Sequence, residues 1–347
     1  AQDRSEPYDL TNGQLLRIYL IKHSPQHFSF IMSSHHAISD GWSGPVLLTF
    51  VHERYLELES GNHLTIQDIN IETCYTTAQK YFQDNQNTTF EFWNNYITKL
   101  EDHADLSGLL TQEQRSTKLG EYKYILESKE EQITIENKLY QELRELTRSN
   151  GITINVVLQY IWHKILSVYG NTRTTVTGTT ISGRNLPIDG IENSVGLYIN
   201  TLPLIVEHKD ATILELLQQL QTDINNINAH SSISLAKLQK EGIRLFDSLF
   251  VFENYPVAKE TSAKIKLELK YGIEKIDYPL GLTAYESNNK ITVNLKYAGE
   301  LFNQETITTV LSVYETILNQ IIANPQEQAK TLSYLNQADY TKIITTW

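Results

Sequence analysis

The sequence predicts an α/β fold in which strands and helices are layered into two units. Three observations carry that expectation. A chain of 347 residues holds about two domain-sized cores. Segments with the two-residue period of strands alternate with helix-period segments in both halves. Hydrophobic residues make up 40%, and 20 Tyr with 10 Phe supply the aromatic volume that such cores need.

The elements follow in order. Leu15–Ile21 and Phe28–Ser34 read as neighbouring strands separated by a polar turn at Pro25. From Ser43 the period changes: Val46, Leu47, Phe50, Val51, Tyr55 and Leu58 recur at three and four residues, a helix ending near Gly61. Residues 62–120 read as largely helical, with a turn at Asp84–Thr89 and an interdomain crossing over 101–120. A strand is expected at Tyr122–Leu126, then helices at Glu136–Arg148 and Ile154–Tyr169 and a strand at Thr175–Ile181. Further strands are expected at Leu197–Ile199, Asp247–Phe252, Ile265–Leu269 and Ile291–Tyr297, and helices at Ile213–Ile227 and Thr306–Ile322.

Composition narrows the function classes. The net charge of −12 disfavours nonspecific nucleic-acid binding. No uninterrupted apolar run reaches the roughly 18 residues of a membrane span, and the first residues lack a signal-peptide core, so a cytoplasmic location is expected. The single Cys74 forms no intrachain disulfide and reads as a small filler. His52 and His63 lack a second matching pair, so no metal site is expected. Lacking an initiator Met, the chain reads as a piece of something longer.

The densest chemistry lies in His35-His36-Ala37-Ile38-Ser39-Asp40-Gly41-Trp42-Ser43. It falls between a strand and a helix, where a scaffold holds side chains that remain exposed. An imidazole there can handle a proton, with a carboxylate nearby to fix the geometry. The plain alternative is a buried or solvated histidine, and two neighbours on a strand would face opposite ways. Ser43 precedes a helix and reads as its cap.

This stretch matches the HHxxxDG motif, and the chain resembles the condensation domains of nonribosomal peptide synthetases, in the chloramphenicol-acetyltransferase-like superfamily. Further matches follow in order. Tyr8-Asp9-Leu10 with Leu15-Leu16-Arg17 is similar to the family's lead-in segment. Gly178 to Arg184 resembles the strand ending in SGR, and Val195 to Pro203 the VGxFxNTLP motif, with Tyr198 where Phe is usual. Leu245 to Pro256 and Tyr278-Pro279-Leu280 resemble later motifs.

The resemblance implies two lobes in a V, the first incomplete because roughly its first hundred residues, with an RHExLRTxF-like motif, have no counterpart here. The first lobe should then lack sheet and helix partners. The implied boundaries are 1–118 for the rest of the first lobe, 119–330 for the second, and 331–347 for the start of a linker to an adenylation domain. The implied reaction is amide formation between a donor aminoacyl or peptidyl thioester and the amine of an acceptor aminoacyl thioester. Upstream donor and downstream acceptor carrier proteins present both on 4′-phosphopantetheine arms, and no metal or directly bound cofactor is implied.

By the same resemblance His36 is the catalytic residue, as base or as holder of the amine. His35 supports the loop. Asp40 is a structural carboxylate paired with Arg184 from the second lobe, and Gly41 permits a tight or unusual turn. Trp42 reads equally as packing or substrate contact. Ser43 is either the helix cap, the favoured reading, or a neighbour of the oxyanion. Gly183 reads as architectural, Asn200 as architectural or substrate-facing, and Asn254 with its neighbours as tunnel lining or a simple turn. The rival functions are an acyltransferase using a soluble thioester, an epimerase-type relative, and an inactive scaffold. The SGR, NTLP and FENYP-like matches favour condensation.

Overall fold

The structure is a computed structural model describing residues 3, 6–61, 73–100, 104–239, 243–253, 277–335, 340, 341, 343 and 345. The chain divides into two compact units. Among the described residues, the smaller takes those of Ala1–Gln83 and Ser182–Ile199, and the larger those of Asp84–Ile181, Asn200–Asn254 and Leu269–Trp347.

In the smaller unit β1 (Leu16–Ser24) and β2 (His27–Ser34) pair antiparallel, with Leu16 opposite Ser34, so the chain leaves the hairpin where it entered. The turn falls at Pro25, where fixed φ and a missing N–H suit a reversal. Helix α1 (Ser43–Glu59) follows, then α2 (Cys74–Asp84). Apolar side chains stay uncovered on the hairpin and on α1: Ile18 is 53% exposed, Leu20 68%, Phe50 56% and Leu58 56%. A small cluster of Ala78, Ile191 and Tyr198, joined by Tyr75, Leu186 and Ile188, fixes α2 to the 182–199 segment.

The larger unit holds the main core. Its described strands are β3 (Ser128–Ile135), β4 (Thr174–Ile181), β5 (Asn200–Glu207), β6 (Ser248–Glu253), β7 (Leu280–Ser287) and β8 (Lys290–Ala298). They form one mixed sheet in the order β3-β8-β7-β6-β4-β5, with β4-β6 and β6-β7 parallel and the other pairs antiparallel. The helices are α3 (Gln86–Tyr96), α4 (Asn137–Asn150), α5 (Ile154–Tyr169), α6 (Ile213–Ala229), the short α7 (Leu235–Leu238) and α8 (Gln304–Ala323).

Helix α5 is the centre of this unit. Every residue from Val156 to Leu166 is buried, because α4, α6, α8 and β4 all pack on it. Its start is set by Thr153, whose hydroxyl accepts the Val156 N–H at 3.3 Å. Its polar groups need internal partners. The His163 ring bonds the Thr175 hydroxyl at 2.8 Å and the Thr177 hydroxyl at 3.1 Å, and His208 reaches Thr175 at 3.0 Å. Helix α6 starts with a capping box, Thr212 and Glu215 satisfying each other's backbone N–H.

Most expected elements stand within a few residues of their positions, and four differ for identifiable reasons. The turn at Asp84–Thr89 narrows to Asn85, since α3 begins at Gln86. Tyr122–Leu126 is not a strand. Tyr124 has φ of 67°, and the Glu300 carboxylate takes the Tyr122 hydroxyl and the Leu126 N–H. The strand begins at Ser128 and is an edge strand, mostly exposed and polar, hence silent to a hydrophobic pattern. Leu197–Ile199 is also not a strand, because the N–H groups of Tyr198 and Ile199 donate to a carboxylate and not to a neighbouring strand. Strand β7 lies between β6 and β8, and its Leu280-Gly281-Leu282-Thr283-Ala284 run lacked a distinct strand signal. The strand expected at Ile265–Leu269 lies outside the described residues.

Two predictions follow from this core. A β-carbon at Gly178 would sit 2.2 Å from Phe246 Cε2 and 2.7 Å from Leu249 Cδ2. Gly178→Ala should therefore cost about 1–3 kcal/mol in denaturant unfolding, and an unchanged midpoint would contradict the packing. Burial, with the nearby His208, holds the His163 imidazole well below its ordinary value, and burial with the Lys164 charge lowers His208 to about 3. The unfolded histidines take up protons below about pH 6.5 and the folded ones do not. Stability should thus fall as pH drops from about 6.5 towards 3, and His208→Gln should flatten that slope. Urea midpoints at a series of pH values read both effects.

Candidate active site

The histidine loop begins where β2 ends. The His35 N–H donates to the Leu15 carbonyl at 2.9 Å, closing the mouth of the hairpin. The His35 side chain turns back on its own loop: its Nδ1 accepts the Ala37 N–H at 3.0 Å, and its ring stands edge-on to Tyr8 with centroids 5.8 Å apart. With Nδ1 accepting a backbone donor, Nε2 is the nitrogen left free to donate. His36 beside it is exposed.

Asp40 is buried, and its carboxylate collects donors from both sides. Oδ1 accepts the Ser43 N–H at 3.0 Å and an Arg184 Nη2 hydrogen at 3.1 Å. Oδ2 accepts Arg184 Nη1 at 2.6 Å and the N–H groups of Tyr198 and Ile199 at 3.0 and 3.2 Å. The Ser43 hydroxyl lies 2.8 Å from Asp40 Oδ1 and 2.9 Å from the Gly196 carbonyl, with one proton to serve them, and accepts the Gly196 N–H at 3.0 Å. Burial alone would raise the Asp40 carboxyl. The hydrogen bonds from Arg184 and Ser43, the guanidinium charge and the Tyr198 N–H outweigh it and hold the group below the usual carboxylate value. Asp40 is therefore ionised and fully occupied by donors.

Arg184 enters this site from the turn after β4. Gly183 makes the entry possible: its φ is +66°, and a β-carbon there would lie 2.0 Å from the Tyr198 carbonyl oxygen. The guanidinium then lies over the Tyr198 ring, 4.4 Å from its centroid, with Trp42 on the same cation at 5.6 Å. Trp42 Nε1–H donates to the Glu192 carbonyl at 2.8 Å, which gives this side chain a packing role.

Several expectations are corrected here. Ser43 does not cap α1. The helix starts at Ser43, and its hydroxyl is spent on Asp40 and Gly196, while Asp40 supplies the oxygen that takes the Ser43 N–H. Gly41 does lie in a tight turn, closed by the Ser43 N–H on the Asp40 carbonyl at 3.1 Å, and it makes that turn without a left-handed backbone. Arg184 was expected from the second lobe, whereas its segment belongs to the same compact unit as Asp40. Asn200 belongs to the larger unit, where its Nδ2 donates to the Ser231 and Ile233 carbonyls at 2.9 and 2.6 Å. Asn254 lies outside the described residues. Tyr198 was missed as a contributor; its aromatic ring under the guanidinium and its N–H on the carboxylate both lay inside a stretch read as a strand.

Removing one member of the buried pair leaves the other charge without its partner. Arg184→Met should cost about 3–5 kcal/mol in denaturant unfolding, and the double variant with Asp40→Leu should recover part of that loss. A cost below about 1 kcal/mol would contradict the geometry.

The comparisons with known proteins agree with one another. The family model described as Condensation domain matches residues 1–344. The chain is 38% identical over 347 residues to N-(5-amino-5-carboxypentanoyl)-L-cysteinyl-D-valine synthase of Amycolatopsis lactamdurans, and 39% identical over 349 residues to the same-named synthase of Penicillium rubens. Each alignment covers 96% of this chain and 9% of the relative, so the chain spans about a tenth of their length. Bacitracin synthase 3 of Bacillus licheniformis is 26% identical over 98% of the chain and 6% of its own. Among solved structures, the X-domain from teicoplanin biosynthesis superposes with a TM-score of 0.79 at 18% identity, covering 96% of this chain and 78% of that one. The first condensation domain of the calcium-dependent antibiotic synthetase gives 0.70 at 14%, covering 96% and 73%. A family match along almost the whole chain, joined to relatives of this identity, makes this chain a member of the condensation-domain family, the acyltransferase-type domains of nonribosomal peptide synthetases.

Proposed function

We propose that the chain forms an amide bond between two thioester-bound substrates, with His36 at the reacting centre. The observation that carries this reading is a division of labour within one loop. His35 is spent on Ala37 and Tyr8, and Asp40 is spent on Arg184 and Ser43, while His36 stands exposed between them. Asp40 is not the acid of a triad, because its oxygens face donors that hold the fold.

On this reading the acceptor amine attacks the donor thioester carbonyl. A nitrogen–carbon bond forms, the carbon–sulfur bond breaks, and the thiolate leaves on the donor's phosphopantetheine arm. The proton released by the amine passes through His36, directly or while that ring holds the amine in line, and reaches the leaving sulfur. The arms arrive on an upstream donor and a downstream acceptor carrier protein, and an adenylation domain follows in the same polypeptide. The work takes place in the cytoplasm within a larger synthetase.

The test uses the synthetase that carries this chain, with separately loaded donor and acceptor carriers, and reads tethered products by mass spectrometry. A lengthened acceptor-bound product is expected, and His36→Ala should lower its rate by about a hundredfold or more. Inversion of a bound aminoacyl centre would replace this reading with epimerisation. Transfer from a soluble thioester would replace it with a simpler acyltransferase, and no transfer of any kind with a scaffold.

A further inference from the structure

Tyr8 lies ahead of the hairpin and outside the histidine motif, yet it touches that motif from below. Its hydroxyl is 2.6 Å from the Ser33 hydroxyl on β2. Its ring stands at 79° to the His35 imidazole. The Arg17 guanidinium of β1 lies over the Tyr8 ring, 4.1 Å from its centroid. Arg17 is itself tied down: it donates to the Glu6 and Pro7 carbonyls at 3.1 and 3.0 Å and pairs with the Asp3 carboxylate at 3.3 Å. Tyr19 donates to the same carboxylate at 2.9 Å.

A chain of contacts thus runs from Asp3 through Arg17 and Tyr8 to His35. Strand pairing alone fixes the His35 backbone through Leu15, but it leaves the imidazole to rotate. The ring accepts the Ala37 N–H only in one rotamer, and Tyr8 packs against that rotamer. His36 is covalently joined to His35 and Ala37, so the same contact sets the backbone that carries it.

Resting on the function proposed above, we infer that Tyr8 is a positioning residue: held by Arg17 and Ser33, it locks the His35 ring onto Ala37 and so fixes the direction in which His36 meets the reacting amine. Nothing in the motif itself performs this task. A small rotation of the loop would move His36 by an ångström or so, enough to matter for a group that must align a nucleophile.

The test compares Tyr8→Leu and Tyr8→Phe in the full synthetase. Tyr8→Leu should lower kcat about tenfold with acceptor KM within about twofold, and Tyr8→Phe, which keeps the ring, should recover most of that loss. Hydrogen exchange of the Ala37 amide, read on peptides of the loop, should speed up about tenfold in Tyr8→Leu and stay near the unsubstituted rate in Tyr8→Phe. A kcat within twofold of the unsubstituted enzyme, unchanged Ala37 exchange, or equal losses in both variants overturns the inference. If Tyr8→Leu fails to fold, Tyr8→Met is read by the same two measurements. Absence of product from the unsubstituted enzyme sinks the proposed function instead, and the exchange comparison still decides whether Tyr8 holds the loop.

Discussion

A buried carboxylate is costly unless its oxygens are filled, and Asp40 fills them with five N–H groups and shares the Ser43 hydroxyl. Those donors come from two stretches about 150 residues apart in sequence, the start of α1 and the 182–199 segment. Once the carboxylate is placed, much else is determined. The segment after β4 has to turn at Gly183 so that Arg184 can reach inward. Tyr198 and Ile199 have to aim their N–H groups at Oδ2, which takes them out of any sheet. The geometry of the histidine loop is thereby fixed at its C-terminal end by Asp40 and at its N-terminal end by His35. A single ion pair of this kind adds little net stability in general. Its value here is specificity: both carboxylate oxygens of Asp40 and both terminal nitrogens of Arg184 are used in one arrangement.

The two compact units are stabilised in different ways. The larger rests on apolar burial around α5, where even the polar side chains His163 and Gln159 are enclosed. Among the described residues of the smaller, few apolar side chains cluster, and polar contacts carry the order: the Asp40 hub, the Tyr75–Tyr198 edge contact, and the Arg17 bonds to the chain ahead of β1. Such contacts are directional. A loop held by hydrogen bonds presents its side chains with defined orientation, which a reaction requiring alignment needs more than it needs bulk stability.

Much of the fold was legible in the sequence because periodicity reports burial. The helices at 137–150, 154–169, 213–229 and 304–323 carry wide apolar faces, and each stood out. The exceptions share a cause. β3 is exposed at the sheet edge and has little hydrophobic pattern to read. Tyr122–Leu126 and Leu197–Ile199 have strand-like composition, but carboxylates of Glu300 and Asp40, distant in sequence, take their N–H groups. The site shows the same split. The family motif pointed to His36, His35, Asp40 and Arg184, since those side chains are the motif. Tyr198 and Tyr8 fall inside matched segments but carried no assigned role, because they act through ring faces and backbone groups that no short spacing records. Ser43 was misread because a serine ahead of a helix has a familiar local use, and here a tertiary partner displaces it.

The claim that one carboxylate organises the site is tested most directly by amide hydrogen exchange in Asp40→Asn, an isosteric change that removes the charge. The account predicts that protection at Ser43, Tyr198 and Ile199 falls together, while β4, β6, β7 and β8 exchange as before. Retained protection at Tyr198 and Ile199 would contradict it, for those amides would then be held by something other than Asp40.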